Sequence, residues 1–431
     1  MTTQPYPSGW SAGSQLGRIA AGSSGYAWYV NLNNGNSNID HQSNHNHVRA
    51  VRSGECQSIA LRDLYSAWRE ARRGKKPSRD QLNFDSRSID NLIGIRNRLN
   101  DLSWRPSAPT CFIATAPKAR EIHAPAFADR IVHHYLVPRL EAIYEPTFIH
   151  DSFSNRSGKG THAAVDRLRR FVREVDSGQG GGFYLQLDIR NFFNSIDRAR
   201  LYALMKRRME RAGLALPIRR AVHALLNHSV DRTGVIYACT EAERAAVPLH
   251  KRLENSAPGC GIAIGNLSSQ FFANVYLDRL DQFVKHTLKA GRYVRYVDDF
   301  VLVHRDLVQL DAWRLEIQAF LTRELGLDLK ADQRLRPLAA GIDFLGYVIF
   351  PTHTVVRRRV ISHAREKLAA WERRHVRGRE ITTRRSALEQ LRSVYASYAG
   401  HFSHASSYRL RCQLFDRFWW LAESLPRRSA K

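Results

Sequence analysis

The stretch Tyr293-Val294-Arg295-Tyr296-Val297-Asp298-Asp299-Phe300-Val301-Leu302-Val303 constrains the fold more than any other part of the chain. β-Branched and aromatic residues flank an adjacent pair of carboxylates, which predicts two strands joined by a tight hairpin turn. Two carboxylates side by side at a hairpin tip repel each other. A divalent cation removes that penalty, and oxygen ligands suit Mg²⁺. Aspartate is also a common turn residue, so a solvated turn is the competing reading. What the rest of the chain can bring to the hairpin decides between them.

The chain has 431 residues, enough for a large core and two or three domains. Its 66 Lys and Arg against 40 Asp and Glu give a formal charge of +26. The basic residues are spread along the chain, so the folded body itself is expected to be electropositive and to meet a polyanion. Plain surface solubility is a weaker account, because so large an excess costs self-repulsion. No apolar run reaches the roughly 18 residues of a membrane span, so none is expected. The start lacks the basic stretch and apolar core of a secretory signal. Cys56, Cys111, Cys239, Cys260 and Cys412 form no CxxC pair. That argues against a zinc site and a disulfide frame and fits a reducing cytosol.

Residues 1–55 are rich in Ser, Gly and Asn, and Asn31–His47 is low-complexity. Such a tail buries too little apolar surface to order itself well. His41, His45 and His47 read as solvated side chains in preference to a metal site. The codons for Asn, AAY, reach those for His, Asp, Ser and Ile by changing one adenine, so the stretch also reads as a translation of adenine-rich DNA.

Regular structure begins near Ser58. Helices are expected over Ile59–Arg73, Ser88–Leu102 and Phe127–Tyr144, the last carrying His133 and His134 as packing or surface residues. Cys111–Thr115 is a short strand with Glu121–Ala124 as its hairpin partner. The polar loop Phe148–His162 contains Gly158-Lys159-Gly160-Thr161, which is not a phosphate loop. Phe153 stands where that motif needs Gly, and Gly160 where it needs Ser or Thr. The loop keeps a possible contact to nucleic-acid phosphate. Phe183–Ile189 is a strand carrying Asp188 at its end, and Asn191–Asp197 turns it into a helix. After a less readable insertion to Pro258, the Gly-rich loop Gly259–Gln270 opens a helix over Phe271–Thr287. Leu310–Glu324 reads as helix, Gly341–Val348 as strand, and the last eighty or so residues as Arg-rich helices with interleaved aromatics.

Asp188 and the Asp298–Asp299 pair lie about 110 residues apart. Together they supply what two-metal phosphoryl transfer requires, carboxylates on neighbouring strands bridging two Mg²⁺ ions roughly 3.5–4 Å apart. A nucleotide polymerase also needs cations over the triphosphate, and Lys118 and Arg120 sit on a hairpin suited to that. It needs a flat wall against a 2′-hydroxyl, for which Phe193, five residues past Asp188, is placed. It needs a close backbone approach to the base pair, where Gly265 helps.

With these residues in order, the chain resembles reverse transcriptases from about Cys111 to Val355. The motifs are Pro117-Lys118-Ala119-Arg120-Glu121-Ile122, Asp188-Ile189-x-x-x-Phe193, the Gly265-x-x-x-Ser269-Gln270 loop, Tyr296-Val297-Asp298-Asp299, and Phe344-Leu345-Gly346-Tyr347, which resembles a primer grip. The resemblance implies an α+β right-hand polymerase fold, with fingers over 56–179, a palm with an antiparallel sheet over 180–350, and a helical thumb over 351–431. It implies catalytic Asp188, Asp298 and Asp299, and two Mg²⁺ ions held by these and Ile189. It implies dNTP contacts from Lys118, Arg120, Phe193, Ile264 and Gly265. Template–primer contacts are implied for Ser269, Gln270, Tyr296, Phe344, Leu345 and Gly346.

Ile264-Gly265-Asn266-Leu267-Ser268-Ser269-Gln270 departs from the Gln-Gly-x-x-x-Ser-Pro of most reverse transcriptases. It is similar to the reverse transcriptases of diversity-generating retroelements, as are His150-Asp151-Ser152-Phe153, Gly158–His162 and Phe350–His353. Those enzymes copy a template-repeat RNA into cDNA with errors at adenines, for transfer into a variable gene. Ile264 stands where a Gln side chain usually contacts nucleotide and template. An apolar chain there offers no hydrogen bonds and relaxes the policing of base pairs; the competing reading is that Ile264 only packs. The resemblance also implies a small basic helical accessory protein as partner and a cytoplasmic, bacterial or phage-encoded enzyme. The tail, from Trp28-Tyr29-Val30-Asn31 to Val51-Arg52, then reads as template-repeat-derived, with a Ser/Asn-rich linker as the alternative. Two other functions fit the same motifs, an antiphage-defence reverse transcriptase and a group II intron maturase acting as an RNA-binding splicing factor. No endonuclease extension follows the helical end, which weighs against a mobile intron protein. Gln333 occupies the position expected to hold a basic residue; Lys330 and Arg334 are candidates to replace it as proton donor to pyrophosphate, and sequence alone does not assign the role.

Overall fold

The computed structural model describes residues 58–424 apart from 75, 116–117, 177–180 and 229–233, together with two strands near the start. Those strands, β1 (Tyr26–Val30) and β2 (Ser37–His41), pair antiparallel with Tyr26 opposite His41. The aromatic and β-branched run in β1 favours this pairing within an otherwise polar stretch. His45, His47 and the rest of the low-complexity tail lie outside the described residues. Residues 1–58 form one compact unit and residues 59–431 another.

The second unit opens on helices Leu61–Arg72, Arg79–Asp85 and Ser88–Asn100, followed later by Phe127–Tyr144. Ser78 caps the second of these by accepting a hydrogen bond from the Gln81 amide at 3.2 Å. Their apolar faces bury Leu64, Trp68, Leu92, Ile95, Ile131 and Leu140. Between them β3 (Thr110–Ala114) and β4 (Arg120–Ala124) form the expected hairpin, Ala114 opposite Arg120.

The central sheet is built from β5 (Phe183–Asp188) and three later strands. Before those comes β6 (Ile236–Tyr237), two exposed residues of the insertion that pair in parallel with β3 and that sequence patterning did not anticipate. The later strands are β7 (Tyr293–Tyr296), β8 (Asp299–His304) and β9 (Arg334–Pro337). The order is β7-β8-β5-β9 and every pair is antiparallel. Strand alternation sorts side chains between two cores. Leu185, Leu187, Phe300 and Leu302 join the core of the opening helices. Tyr184, Val294, Val301 and Val303 face a second core with helix Thr161–Asp176. Burial on both faces explains why these strands read as almost unbroken apolar runs. Because that helix packs beneath the sheet, the core is continuous across the expected boundary at 179/180.

Helix Leu267–Gln282 begins four residues earlier than patterning suggests, and a π-helical turn, Phe283–Thr287, ends it. The strand expected over Gly341–Val348 is two strands, β10 (Ile342–Phe344) and β11 (Tyr347–Ile349), continued by β12 (Thr354–Val356). Leu345 at φ 50° and Gly346 at φ 90° form the two-residue turn, the left-handed pair that a type I′ hairpin requires. Continuous hydrophobicity across the turn hid it. Beyond β12, helices including Arg358–His375 and Arg385–Ser403 build a third core around Leu368, Leu391, Phe402 and Trp420. Among the described residues no helix is long and apolar enough to cross a membrane.

Candidate active site

Antiparallel register places Asp188, the last residue of β5, opposite Asp299, the first of β8. Tyr296 pairs with Asp299, which leaves Val297 and Asp298 as a two-residue turn. Val297 is left-handed at φ 56°, a conformation costly for a β-branched residue. Asp298 does not share it, as in a type II′ turn, where Gly is usual at the first position. The backbone amide of Ile189 donates to Asp298 O at 3.3 Å, so the turn is stitched to the end of β5. Three carboxylates thus meet at one end of the sheet.

Their electrostatics distinguish this hairpin from a solvated turn. Burial pushes Asp298 up to about 6 and Asp299 up to about 7, and the Asp188 carboxylate adds repulsion to both. Asp188 Oδ1 is buried with no hydrogen-bond partner, while Oδ2 accepts from the Lys330 ammonium. Gln186 Nε2 donates to Asp299 Oδ1 at 3.1 Å and to Asp343 O at 3.1 Å. An orphaned carboxylate oxygen and two carboxylates short of positive charge fit hard divalent cations. The ligands are adjacent but not convergent: among the described residues no group of three His, Cys, Asp or Glu is arranged to hold a metal. Lys330 takes one oxygen of Asp188, and Gln186 restrains Asp299. The Ile189 side chain is a fully buried hydrocarbon with no donor atom, so any contribution to an ion would come from its backbone carbonyl.

A cavity of about 190 Å³ opens beside the carboxylates, lined by Lys118, Arg120, Phe193, Ile264, Asp298 and Lys330 among others. It unites four of the five residues expected at a nucleotide. The fifth, Gly265, does something else. At φ +122° its Cα approaches β4 so closely that a Cβ would lie 2.9 Å from Ile122 Cγ2 and 3.0 Å from His123 O. Its freedom serves the loop-to-strand contact, and the neighbouring His123 amide donates to Ile264 O at 2.7 Å. Lys251, from the insertion, also lines the cavity and was missed. Nothing in its local sequence sets it apart from the other basic residues. Of the candidates around Gln333, only Lys330 reaches the site. Arg334 pairs with Asp332 at 3.0 Å, and Gln333 accepts from Arg314 at 3.3 Å.

The residues expected at template and primer differ in exposure. The side chains of Ser269 and Phe344 are buried. Gln270 is exposed and Leu345 half-buried. A Cβ on Gly346 would lie 3.1 Å from His401, so that turn backs onto the helical C-terminal region. The Tyr296 hydroxyl accepts from Thr161 at 3.2 Å. In the polar loop read as a phosphate contact, Asp151 and Arg156 are bound inward while Asn155, Ser157 and Gly158 stay exposed. Asp151 accepts from Arg167 at 2.7 Å and from Lys285 at 2.8 Å, and Arg156 pairs with Glu145 at 2.7 Å. His133 is a packing residue, fully enclosed, and burial holds it neutral down to about 3.

Residues 114–349, more than half of the chain, match the reverse transcriptase (RNA-dependent DNA polymerase) family. Protein YkfC of Escherichia coli (strain K12) is 24% identical over 276 residues, covering 56% of this chain and 64% of that protein. Group II intron-encoded protein LtrA of Lactococcus lactis subsp. cremoris is 22% identical over 308 residues, covering 62% of this chain and 50% of that protein. The chain thus spans between a half and two thirds of the length of these relatives. Among solved structures, apo telomerase from Candida tropicalis matches with a TM-score of 0.42 and 12% identity, over 62% of this chain and 60% of that one. Telomerase from Candida albicans in complex with a telomeric RNA fragment matches with a TM-score of 0.38 and 15% identity, over 74% and 60%. The antiparallel central sheet, its carboxylate-bearing hairpin and the separate helical end are those of a right-hand polymerase fold, and the chain belongs to the reverse transcriptase family.

Proposed function

We propose that this protein is an RNA-directed DNA polymerase that joins dNTPs to a primer by two-metal nucleotidyl transfer. One observation carries the reading: the cavity that gathers Lys118, Arg120, Phe193 and Ile264 opens directly onto Asp298, beside Asp188 and Asp299. Asp188, Asp298, Asp299 and the Ile189 carbonyl would hold two Mg²⁺ ions, which supply Lewis-acid activation of the 3′-hydroxyl and charge for the leaving pyrophosphate. Lys118, Arg120 and Lys251 set cationic charge where a triphosphate enters. Phe193 walls the sugar. Lys330, whose ammonium bonds Asp188, would give a proton to pyrophosphate. Replacing Lys251 by Ala is expected to raise the dNTP KM about tenfold with kcat nearly unchanged, as for loss of one charged contact worth about 1.4 kcal/mol. Steady-state incorporation of a single nucleotide measures this, and an unchanged KM removes Lys251 from the site.

The subtype reading is a diversity-generating retroelement enzyme, working in the cytoplasm with a basic helical accessory protein on a template-repeat RNA. It is supported by the Ile264–Gln270 loop and by the placement of Ile264 in the cavity wall. Extension of a primer on that RNA, with accessory protein supplied, is expected to give frequent misincorporation opposite adenines and not opposite other bases. Faithful copying of adenines sinks the subtype while leaving the polymerase reading in place. The similarity to a group II intron-encoded protein favours a second reading, an RNA-binding splicing factor. Intron splicing stimulated by a polymerase-dead variant would select it.

A further inference from the structure

Arg295 lies in β7, two residues before Val297, and is 1% exposed. A guanidinium has five N–H donors, and here all five are engaged. Nε and Nη2 grip the two oxygens of Asp281 at 2.8 and 2.6 Å. Nη2 also donates to Ser152 Oγ at 3.0 Å, and Nη1 to Asn274 Oδ1 at 3.3 Å. The fifth donor, again from Nη1, goes to the carbonyl of Val297 at 2.9 Å. The acceptors come from three separate places: helix Leu267–Gln282, the polar loop, and the turn that carries Asp298.

The backbone of Arg295 repeats the connection. Its amide donates to Asp151 O at 2.9 Å, and its carbonyl accepts from the Phe153 amide at 3.0 Å. The polar loop thereby bridges to β7 in parallel at Ser152. Asp281, fully buried, accepts additionally from the Tyr293 hydroxyl at 2.8 Å. Asn274 donates to Ser154 O at 2.8 Å.

The turn has reason to need such a hold. The β7–β8 ladder ends at the Tyr296–Asp299 pair, and the residue just past it is Val297 in its disfavoured left-handed conformation. Strain of that kind persists only where the surroundings over-determine it. The guanidinium bonds to the strained residue itself, one peptide before Asp298.

We propose that Arg295 is a positioning residue. Its side chain fixes the Val297 carbonyl, sets the height of the Asp298 and Asp299 carboxylates against Asp188, and registers them to the helix that follows the Ile264–Gly265 loop. The inference rests on the assignment of these carboxylates as the metal-holding set. A merely structural ion pair would lose stability and activity together. A positioning residue loses the chemical step in a protein that still folds.

Three variants of the full chain separate these roles. Arg295→Lys keeps a charge but offers at most three donors and no planar fork. Arg295→Met with Asp281→Leu removes the pair without stranding a buried charge. Ser152→Ala removes one acceptor of five. Each is assayed for thermal melting, single-turnover rate constant, dNTP KM and Mn²⁺ affinity by electron paramagnetic resonance. The Arg295 variants are expected to melt cooperatively, to lose rate about 100-fold with little change in KM, and to bind Mn²⁺ about tenfold more weakly, since a misplacement of about 1 Å suffices for the rate effect. Ser152→Ala is expected to slow about threefold, in line with the loss of a single hydrogen bond. Folded Arg295 variants with wild-type rate and Mn²⁺ affinity overturn the proposal. If neither Arg295 variant folds, a wild-type rate in Ser152→Ala overturns it. Asp298→Ala serves as the control, because synthesis retained there disproves the carboxylate assignment itself.

Discussion

Asp298→Ala and Asp299→Ala are each expected to incorporate no nucleotide while binding template–primer as tightly as the parent protein. The carboxylates lie at the end of the sheet; that of Asp299 accepts from Gln186, and the Ile189 amide bonds the Asp298 backbone carbonyl, which an alanine keeps. Their removal therefore takes away charge needed by the ions without opening a cavity in the core. Linkage sharpens the expectation for Asp299. Its folded-state value, about 7, lies above the ordinary carboxylate value, so the folded protein binds more protons than the unfolded one between about pH 4 and 7. The stability this group contributes is present below that window and is lost as pH rises through it. Asp299→Asn carries no such loss, so the metal-free variant is expected to melt higher than the parent at pH 8 and no higher at pH 4. An inactive variant that is also more stable marks a residue kept for chemistry. Retained synthesis in either alanine variant, measured by primer extension, would falsify the site assignment.

Template–primer affinity is expected to fall by at least about 10³ between 50 and 200 mM salt, the behaviour of a protein that neutralises six or more phosphates. The formal charge of +26 supplies the cations, and helix Arg358–His375 concentrates several of them, with Arg358, Arg365, Lys367, Arg373 and Arg374 exposed. Replacing Arg365 and Arg373 together by Gln is expected to reduce the slope of log K against log salt by about two. Fluorescence anisotropy on a labelled duplex reads both quantities. A flat salt profile would mean that the charge serves another purpose.

The sequence made some of this plain and hid the rest for physical reasons. The hairpin, the strand ending at Asp188 and the cations of the β3–β4 segment follow from local alternation and residue type, which periodicity exposes. The left-handed Val297 does not, because a β-branched residue gives no hint of a conformation imposed by its surroundings. Arg295 looks like an ordinary strand residue, since its partners Asn274, Asp281 and Ser152 stand 14 to 143 positions away. Lys251 belongs to an insertion with little periodicity of its own. Its value comes from the fold that carries it back to the cavity. Gly265 was read as helping a backbone approach to the base pair, and the close neighbour that local sequence could not reveal is β4. Phe344 and Ser269 sit inside motifs that resemble those of the family, and a motif does not say which of its members face inward.

The core beyond β12 has a further consequence. Its helices share few buried residues with the central sheet, and they are fastened near Gly346. The Tyr347 hydroxyl donates to His401 O at 2.8 Å, and the Ser406 amide to Thr354 O at 2.8 Å. Under the proposed polymerase reading, duplex retention would depend on one hydrophobic core and bond formation on another. A lesion in the terminal helices is then expected to shorten the product before it slows a single addition, and one in the sheet to slow every addition without changing how long the duplex is retained.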